Sequence, residues 1–333
     1  MRGKRRHESS AAKLRLFNQS RESFMQVYAL PEHEFVQVDG PDARKFLQGQ
    51  VSCNVDLLSE TRSLPGAICN LKGRVVADFR LAQTGDACLL QTAGGMAEKI
   101  IGTLSRYAVF SRVELRRFEP PLVLGILGDD FETALTRLFP RLPAAVNESA
   151  VSAQMCLLRL PGGRQELWCL DEAVTPSLRE LFGEWQSKPG RDWLAAGIES
   201  GVAHVGPASS EQYTPQLLNY DISGVINFSK GCYTGQEVVA RMHFRGKPKK
   251  RLFLFNGEAE FTADSRVCAR SGISPEKGEP VLAHVNRSRG GNLALAVANI
   301  EAVAEGRSWY LDGRAEALLQ AAPLAYECIA AND

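Results

Sequence analysis

The stretch Lys230-Gly231-Cys232-Tyr233-Thr234-Gly235-Gln236-Glu237 concentrates more potential chemistry than any other in the chain. Thr234 and Glu237 are spaced as a capping box, in which a hydroxyl accepts the N–H three residues on and the carboxylate reaches back. That spacing predicts a helix start just beyond Cys232, with Val238-Val239-Ala240 continuing the helix. Helix N-termini and nearby ammonium groups both favour thiolate over thiol. Cys232, two residues from Lys230, is therefore a candidate reactive thiol and a candidate transient iron ligand. Gly231 and Gly235 permit backbone conformations and close approaches that other residues resist. A buried, inert cysteine at a helix start fits the same pattern, so residue types alone leave both readings open.

Two further segments bear on the same question. Gln48-Gly49-Gln50-Val51-Ser52-Cys53-Asn54-Val55-Asp56 reads as a loop rich in hydrogen-bonding side chains. Trp193-Leu194-Ala195-Ala196-Gly197-Ile198-Glu199-Ser200-Gly201 combines a large aromatic with a carboxylate. The motif, extended by Val238-Val239-Ala240-Arg241, resembles the signature of the YgfZ family. Leu47 to Val51 with Asp56 resembles an early folate-pocket loop shared with the glycine-cleavage T-protein. Trp193 to Gly201 resembles that superfamily's Ile/Leu-Glu-Ala-Gly segment, with Ser200 in place of Ala. The likeness runs from about Pro31 to the C-terminus and is specific at these three places. Family members often carry Asp where this chain has Asn70, and an aromatic where it has His33.

The resemblance implies an α+β T-protein-like fold: intertwined α+β domains and a C-terminal β-barrel around a central hole. It implies tetrahydrofolate or a derivative as ligand. It also implies a role in assembly or repair of iron–sulfur clusters in client enzymes, including radical enzymes that thiolate tRNA. The cluster would be held only transiently, and tRNA would be affected only indirectly. A pterin needs a flat apolar face and a carboxylate to accept from its 2-amino group and ring N–H. Trp193 offers the face and Glu199 the carboxylate. Six apart, they would occupy different helix faces, so a bend is expected between them. Gln48, Gln50 and Asn54, with Tyr233, Gln236 and Arg241 of the motif, complete the expected folate-binding set. The rival reading is a folate-dependent aminomethyl- or methyltransferase, which needs an acid/base carboxylate. Asp56 and Asp78 are the nearest candidates.

Composition bounds these readings. The 333 residues are 44% hydrophobic and 23% charged, ordinary for a globular protein. A formal net charge of +1 gives no global pull toward DNA, RNA or an anionic membrane. No apolar run approaches the ~18 residues of a membrane span. Eight cysteines are scattered without paired spacing, as are five histidines, so no metal site is legible and free thiols in a reducing compartment are expected. The cytoplasm is the expected location. A basic leader (Arg2, Lys4, Arg5, Arg6, Lys13, Arg15) makes the mitochondrial matrix the alternative to a flexible tail. The run Arg241, His243, Arg245, Lys247, Lys249, Lys250, Arg251 could meet a polyglutamate tail, RNA or an acidic partner, or serve as a linker.

The elements that must position these groups follow from pattern. Strands are predicted at 35–38, 66–69, 74–81, 87–92 and 113–116, with helices after Pro41 and over 96–107. After Pro120-Pro121 come a strand at 122–127, a helix over 129–139, a hairpin across Pro161-Gly162-Gly163 and a helix over 177–185. Beyond Lys247-Pro248 only short strands remain, at 252–255, 280–285, 292–300 and 309–311, the pattern of a small barrel. The expected organisation is a basic tail (1–25), a first folate-binding α+β part (26–119), a second, ferredoxin-like one (120–190), the pocket and motif segment (191–246) and the barrel (247–333).

Overall fold

The computed structural model describes residues 25–128, 131–269, 278–287 and 290–326. The basic leader and Cys328 lie outside them.

Two five-stranded antiparallel sheets form the body. The first runs in the order Leu64–Cys69, Val75–Thr84, Ala87–Thr92, Glu34–Asp39, Glu114–Phe118. The second runs Gln26–Ala29, Leu122–Leu127, Gln165–Cys169, Met155–Arg159, Ser149–Val151. The sequence pattern does not reveal the strand Gln26–Ala29. It pairs with Leu122–Leu127, so the chain threads into the second sheet before it builds the first.

Alternation along the strands sorts side chains onto two faces. Val36 and Val38 face a core shared with the helices Ala43–Gln48 and Ala97–Leu104, while Phe35 faces the other sheet. In the second sheet Leu167 packs toward the helix Thr175–Phe182 and Trp168 toward the first sheet. Phe35 and Trp168 meet edge to face, ring centroids 5.0 Å apart, in the layer between the sheets. Helices thus cover both outer faces, and the inner faces share one core.

A closed six-stranded barrel follows: Lys250–Gly257, Asn292–Asn299, Glu279–Val285, Arg266–Ala269, Trp309–Leu311 and Arg314–Ala322. Two of its strands, Arg266–Ala269 and Arg314–Ala322, are absent from the sequence reading. The second is exposed at most of its positions and buries only Leu319, which hides its alternation. The helix Arg191–Glu199 joins barrel and body: Ala195 and Ile198 pack with Leu252, Leu254 and Leu293, and Trp193 and Ala196 with the inter-sheet core. The expected helix over 129–139 is shorter, Phe131–Leu135, with Phe131 and Leu135 buried.

Candidate functional site

The motif and the Gln48–Asp56 loop are knitted together. Lys230 is buried, and its Nζ donates to the carbonyls of Gln48 (2.7 Å) and Val51 (2.5 Å). Burial pushes its pKa down from 10.5 to about 8, against the opposing pull of Cys53 and Asp56. Gln48 Nε2 donates to Asn54 Oδ1 (2.7 Å), and Gln48 Oε1 accepts from the Val55 N–H (2.8 Å). Gln50 Oε1 accepts from the Thr234 hydroxyl (3.0 Å). Gln48 therefore spends both ends of its amide on the loop, while Gln50 and Asn54 commit their side-chain oxygens, to the motif and to the loop respectively.

The expected capping box is not formed. The helix runs Gln236–Arg245, its N-cap is Gly235, and no side chain caps it. Thr234 is engaged by Gln50, and Glu237 pairs with Arg241 at the exposed helix surface (2.8 Å). The physical reason lies in Gly235. It holds a φ of +82°, and a Cβ there would overlap the Asn70 carbonyl. At Gly73, φ +69°, a Cβ would lie 2.8 Å from the Val238 side chain. Backbone contact between the Asn70–Gly73 turn and the helix start sets the geometry that the side chains were expected to set. Asn70 shapes that turn: its Oδ1 accepts from the N–H groups of Lys72 and Arg74.

Cys232 is exposed, and the other six described cysteines are buried. The buried-cysteine reading is thereby excluded. The cation expected beside Cys232 is instead spent on loop carbonyls, and the helix begins four residues later. Tyr233 is buried with its ring 5.3 Å from the Lys230 ammonium, and its hydroxyl has no hydrogen-bond partner among the described residues. Among the described residues no group of three or more His, Cys, Asp or Glu side chains is placed to hold a metal ion. The basic run is partly neutralised: Arg251 is bidentate to buried Asp221 (2.9 Å), and Lys250 pairs with Glu279.

A second locus lies between the sheets. A cavity of ≈ 240 Å³ is lined by Trp193 but by none of Lys230, Cys232, Tyr233, Gln236, Arg241, Gln48, Gln50, Asn54 or Glu199. Trp193 and Glu199 belong to one unbroken helix, without the expected bend. At about 100° per residue they lie roughly 120° apart around it, on different faces. Trp193 faces the cavity, and Glu199 is clasped by Arg287 of the barrel (2.5 Å). The indole abuts Gly125, where a Cβ would lie 2.9 Å from it, and the Arg164 guanidinium sits 5.1 Å over its ring. That guanidinium covers the face expected to stack a pterin. Gly197, one helical turn on, leaves room for Arg164.

The carboxylates of the cavity are Asp78, Glu166 and Glu32. Asp78 is buried, accepting from the Val205 N–H (2.6 Å) and from the His204 ring (2.7 Å). The His204 side chain is more than half exposed; desolvation opposes its charge, but the Asp78 carboxylate outweighs that and raises the histidine pKa above 6.5. Tyr220, fully buried, donates to the Ala203 carbonyl (2.6 Å) and fixes the backbone beside His204. Glu166, also buried, accepts from Trp168 Nε1 on one oxygen (3.1 Å). The same oxygen, Oε2, is the one that faces His33. His33 Nδ1, 3.9 Å from it, is buried and has no hydrogen-bond partner among the described residues, and burial pulls the His33 pKa down. Arg80, held by Asn147 and Ser63, has its pKa pushed down to about 10 by burial.

No protein-family model matches the sequence. Among solved structures, the chain is similar to the glycine cleavage system aminomethyltransferase T from Bartonella henselae. The TM-score is 0.72 over 91% of this chain and 86% of that one, at 17% identity. The fold is T-protein-like. A heterotetrameric sarcosine oxidase from Corynebacterium sp. U-96 aligns over 48% of this chain and 85% of that one, at TM-score 0.34 and 13% identity, a likeness too weak to bear on the fold. No helix among the described residues is long and apolar enough to cross a membrane.

Glu166, His204 and Arg164 escape the sequence reading, and Asp78 enters it only as a possible acid/base group. For Asp78 and Glu166 the signal is a charge set into an apolar strand, as in Val75-Val76-Ala77-Asp78-Phe79 and Glu166-Leu167-Trp168; Arg164 and His204 lie outside strands and carry no such signal.

Proposed function

We propose that this chain is a folate-binding accessory protein that supports iron–sulfur enzymes, with the pterin head in the inter-sheet cavity and Cys232 offered to the partner. The observation that carries the reading is the cavity's unpartnered polar edge. The buried His33 Nδ1 has no hydrogen-bond partner among the described residues, and it lies 3.9 Å from Oε2 of the buried Glu166 carboxylate, which accepts from Trp168; both side chains line the cavity. Buried polar atoms in folded proteins rarely lack partners. A pterin, with its 2-amino group, ring N–H and acceptor nitrogens, supplies both kinds of group. The volume is below the usual range of about 300–1,000 Å³ for whole ligands, which suits a bicyclic head with the remainder outside. Glu166 thus takes the role that the sequence assigned to Glu199. Tetrahydrofolate carries one-carbon units when bound. The chain's own residues orient it: Glu166 accepts from it, Asp78 holds His204, and Trp193 with Arg164 closes the wall.

The accessory role rests on the motif's resemblance, and an exposed thiol on a loop anchored by buried Lys230 fits it. The anchored loop presents Cys232 without burying it. In cells lacking the protein, client iron–sulfur activity should return with the wild-type chain and not with Cys232→Ser. Full rescue by that variant would remove Cys232 from the reading.

A second reading, aminomethyl or methyl transfer, gains from Asp78, a carboxylate at the cavity. Against it, both Asp78 oxygens are already engaged by His204 and Val205. One-carbon transfer to tetrahydrofolate from an aminomethylated carrier, lost in Asp78→Asn, would favour this second reading.

A further inference from the structure

Beside the motif lies a second concavity, a groove of ≈ 750 Å³ between the Asn70–Arg74 turn, the helix Ala97–Leu104 and the segment around Glu211. Its charged lining is Lys72, Arg74, Lys99 and Arg106 against a single carboxylate, Glu211. Lys99 is paired with Glu211 (3.1 Å), and Arg74 donates to the Gln212 carbonyl. Lys72 and Arg106 are exposed and belong to no ion pair among the described residues. The groove therefore offers at least two uncommitted cations, with Leu71 and Tyr107 as apolar wall.

Three segments line both the groove and the cavity. One strand gives Val76 to the groove and Asp78 to the cavity, on the same face of the sheet. Ala93 and Gly94 line the cavity, and Lys99 follows in the groove. Val202 and His204 line the cavity, and Glu211 and Gln212 the groove. At about 3.3 Å per residue along a strand, Asp78 and Arg74 are roughly 13 Å apart. The groove is one short step from the place proposed for the pterin head.

We infer that the groove binds a short chain of carboxylates, and that this chain is the oligo-γ-glutamate tail of the folate. The inference rests on the folate reading above and deepens it. Each added γ-glutamyl residue brings one more carboxylate, and a flexible row of them matches separated, solvated cations. A phosphate would call for convergent donors instead. Leu71 and Tyr107 can cover the methylenes of the tail.

The test compares tetrahydrofolate monoglutamate and pentaglutamate by calorimetry, for the wild type and for Lys72→Gln/Arg106→Gln. Both substituted side chains are exposed, so the fold is retained. A few surface charge contacts together give about a tenfold gain at low ionic strength. The pentaglutamate should therefore bind the wild type about tenfold tighter, and the gain should shrink in roughly half-molar salt. The double variant should lose the gain and keep monoglutamate affinity. Equal affinity of the two forms in the wild type, or a gain that survives the double substitution, overturns the inference. So does an α-linked pentaglutamate peptide that binds as tightly as the folate pentaglutamate, since the groove would then belong to an acidic segment of a partner protein. If neither folate form binds, the folate reading itself falls, and the tail assignment with it.

Discussion

Lys230 Nζ lies 2.7 Å from the carbonyl oxygen of Gln48, a residue 182 positions earlier in the chain. The ammonium is buried, and its pKa falls to about 8. The unfolded chain holds this proton up to its ordinary value near 10.5. Between pH 8 and 10.5 the unfolded state therefore binds more protons, and stability from this group rises with pH. Urea unfolding of wild type and Lys230→Met at pH 7.5 and 9.5, values on either side of about 8, should show the difference moving in favour of the wild type. A difference independent of pH would mean that the ammonium is not buried in solution.

His204 has the opposite sign. Its folded pKa is raised above 6.5 by Asp78. The contribution of the pair is complete below 6.5 and is lost as pH climbs through the raised folded value. His204→Asn should therefore cost more stability at pH 6 than at pH 9. An NMR titration of the His204 ring should show a midpoint above that of a free histidine. A midpoint below it would contradict the pairing.

Gly235 and Gly231 make an internal control within one motif. A Cβ at Gly235 meets the Asn70 carbonyl at a φ of +82°, whereas at Gly231 it meets nothing within 4 Å. Gly235→Ala should cost roughly 1–3 kcal/mol or more in urea unfolding. Gly231→Ala should stay within about 0.5 kcal/mol of wild type. Equal effects would refute the turn-to-helix contact.

Much of the fold was legible because its strands carry strong apolar alternation and its turns carry Gly and Pro. Phe35, Val36 and Val38 are such a case. What was not legible was pairing at a distance. Gln26–Ala29 is four residues long and finds its partner nearly a hundred residues later. The motif residues were visible as chemistry, but their roles depended on contacts that spacing does not encode. Thr234 and Glu237 have capping-box spacing, yet a backbone contact at Gly235 takes over. Glu199 has the right chemistry for the cavity, and helical phase turns it toward Arg287. Glu166 looked like an ordinary hairpin residue, and only the packing of two sheets makes it a buried carboxylate.

Cys232 should stand out chemically in the native protein. With Cys328 replaced by Ser, a small alkylating reagent should label one thiol rapidly, and Cys232→Ser should abolish that labelling. Cys53, Cys69 and Cys88 are buried and their pKa values are pushed up to about 12, 12 and 11, so they should react only on unfolding. Rapid labelling of a second described cysteine would contradict this arrangement.

The central claim is that the inter-sheet cavity holds a pterin through Glu166, and calorimetric titration with tetrahydrofolate tests it most directly. Hydrogen bonds to a charged group contribute about 1.5–3 kcal/mol, so Glu166→Gln should weaken binding by roughly ten- to a hundredfold. Glu199→Gln, which touches only the Arg287 contact, should leave affinity unchanged. No binding by the wild type, or a loss with Glu199→Gln and none with Glu166→Gln, would contradict the account.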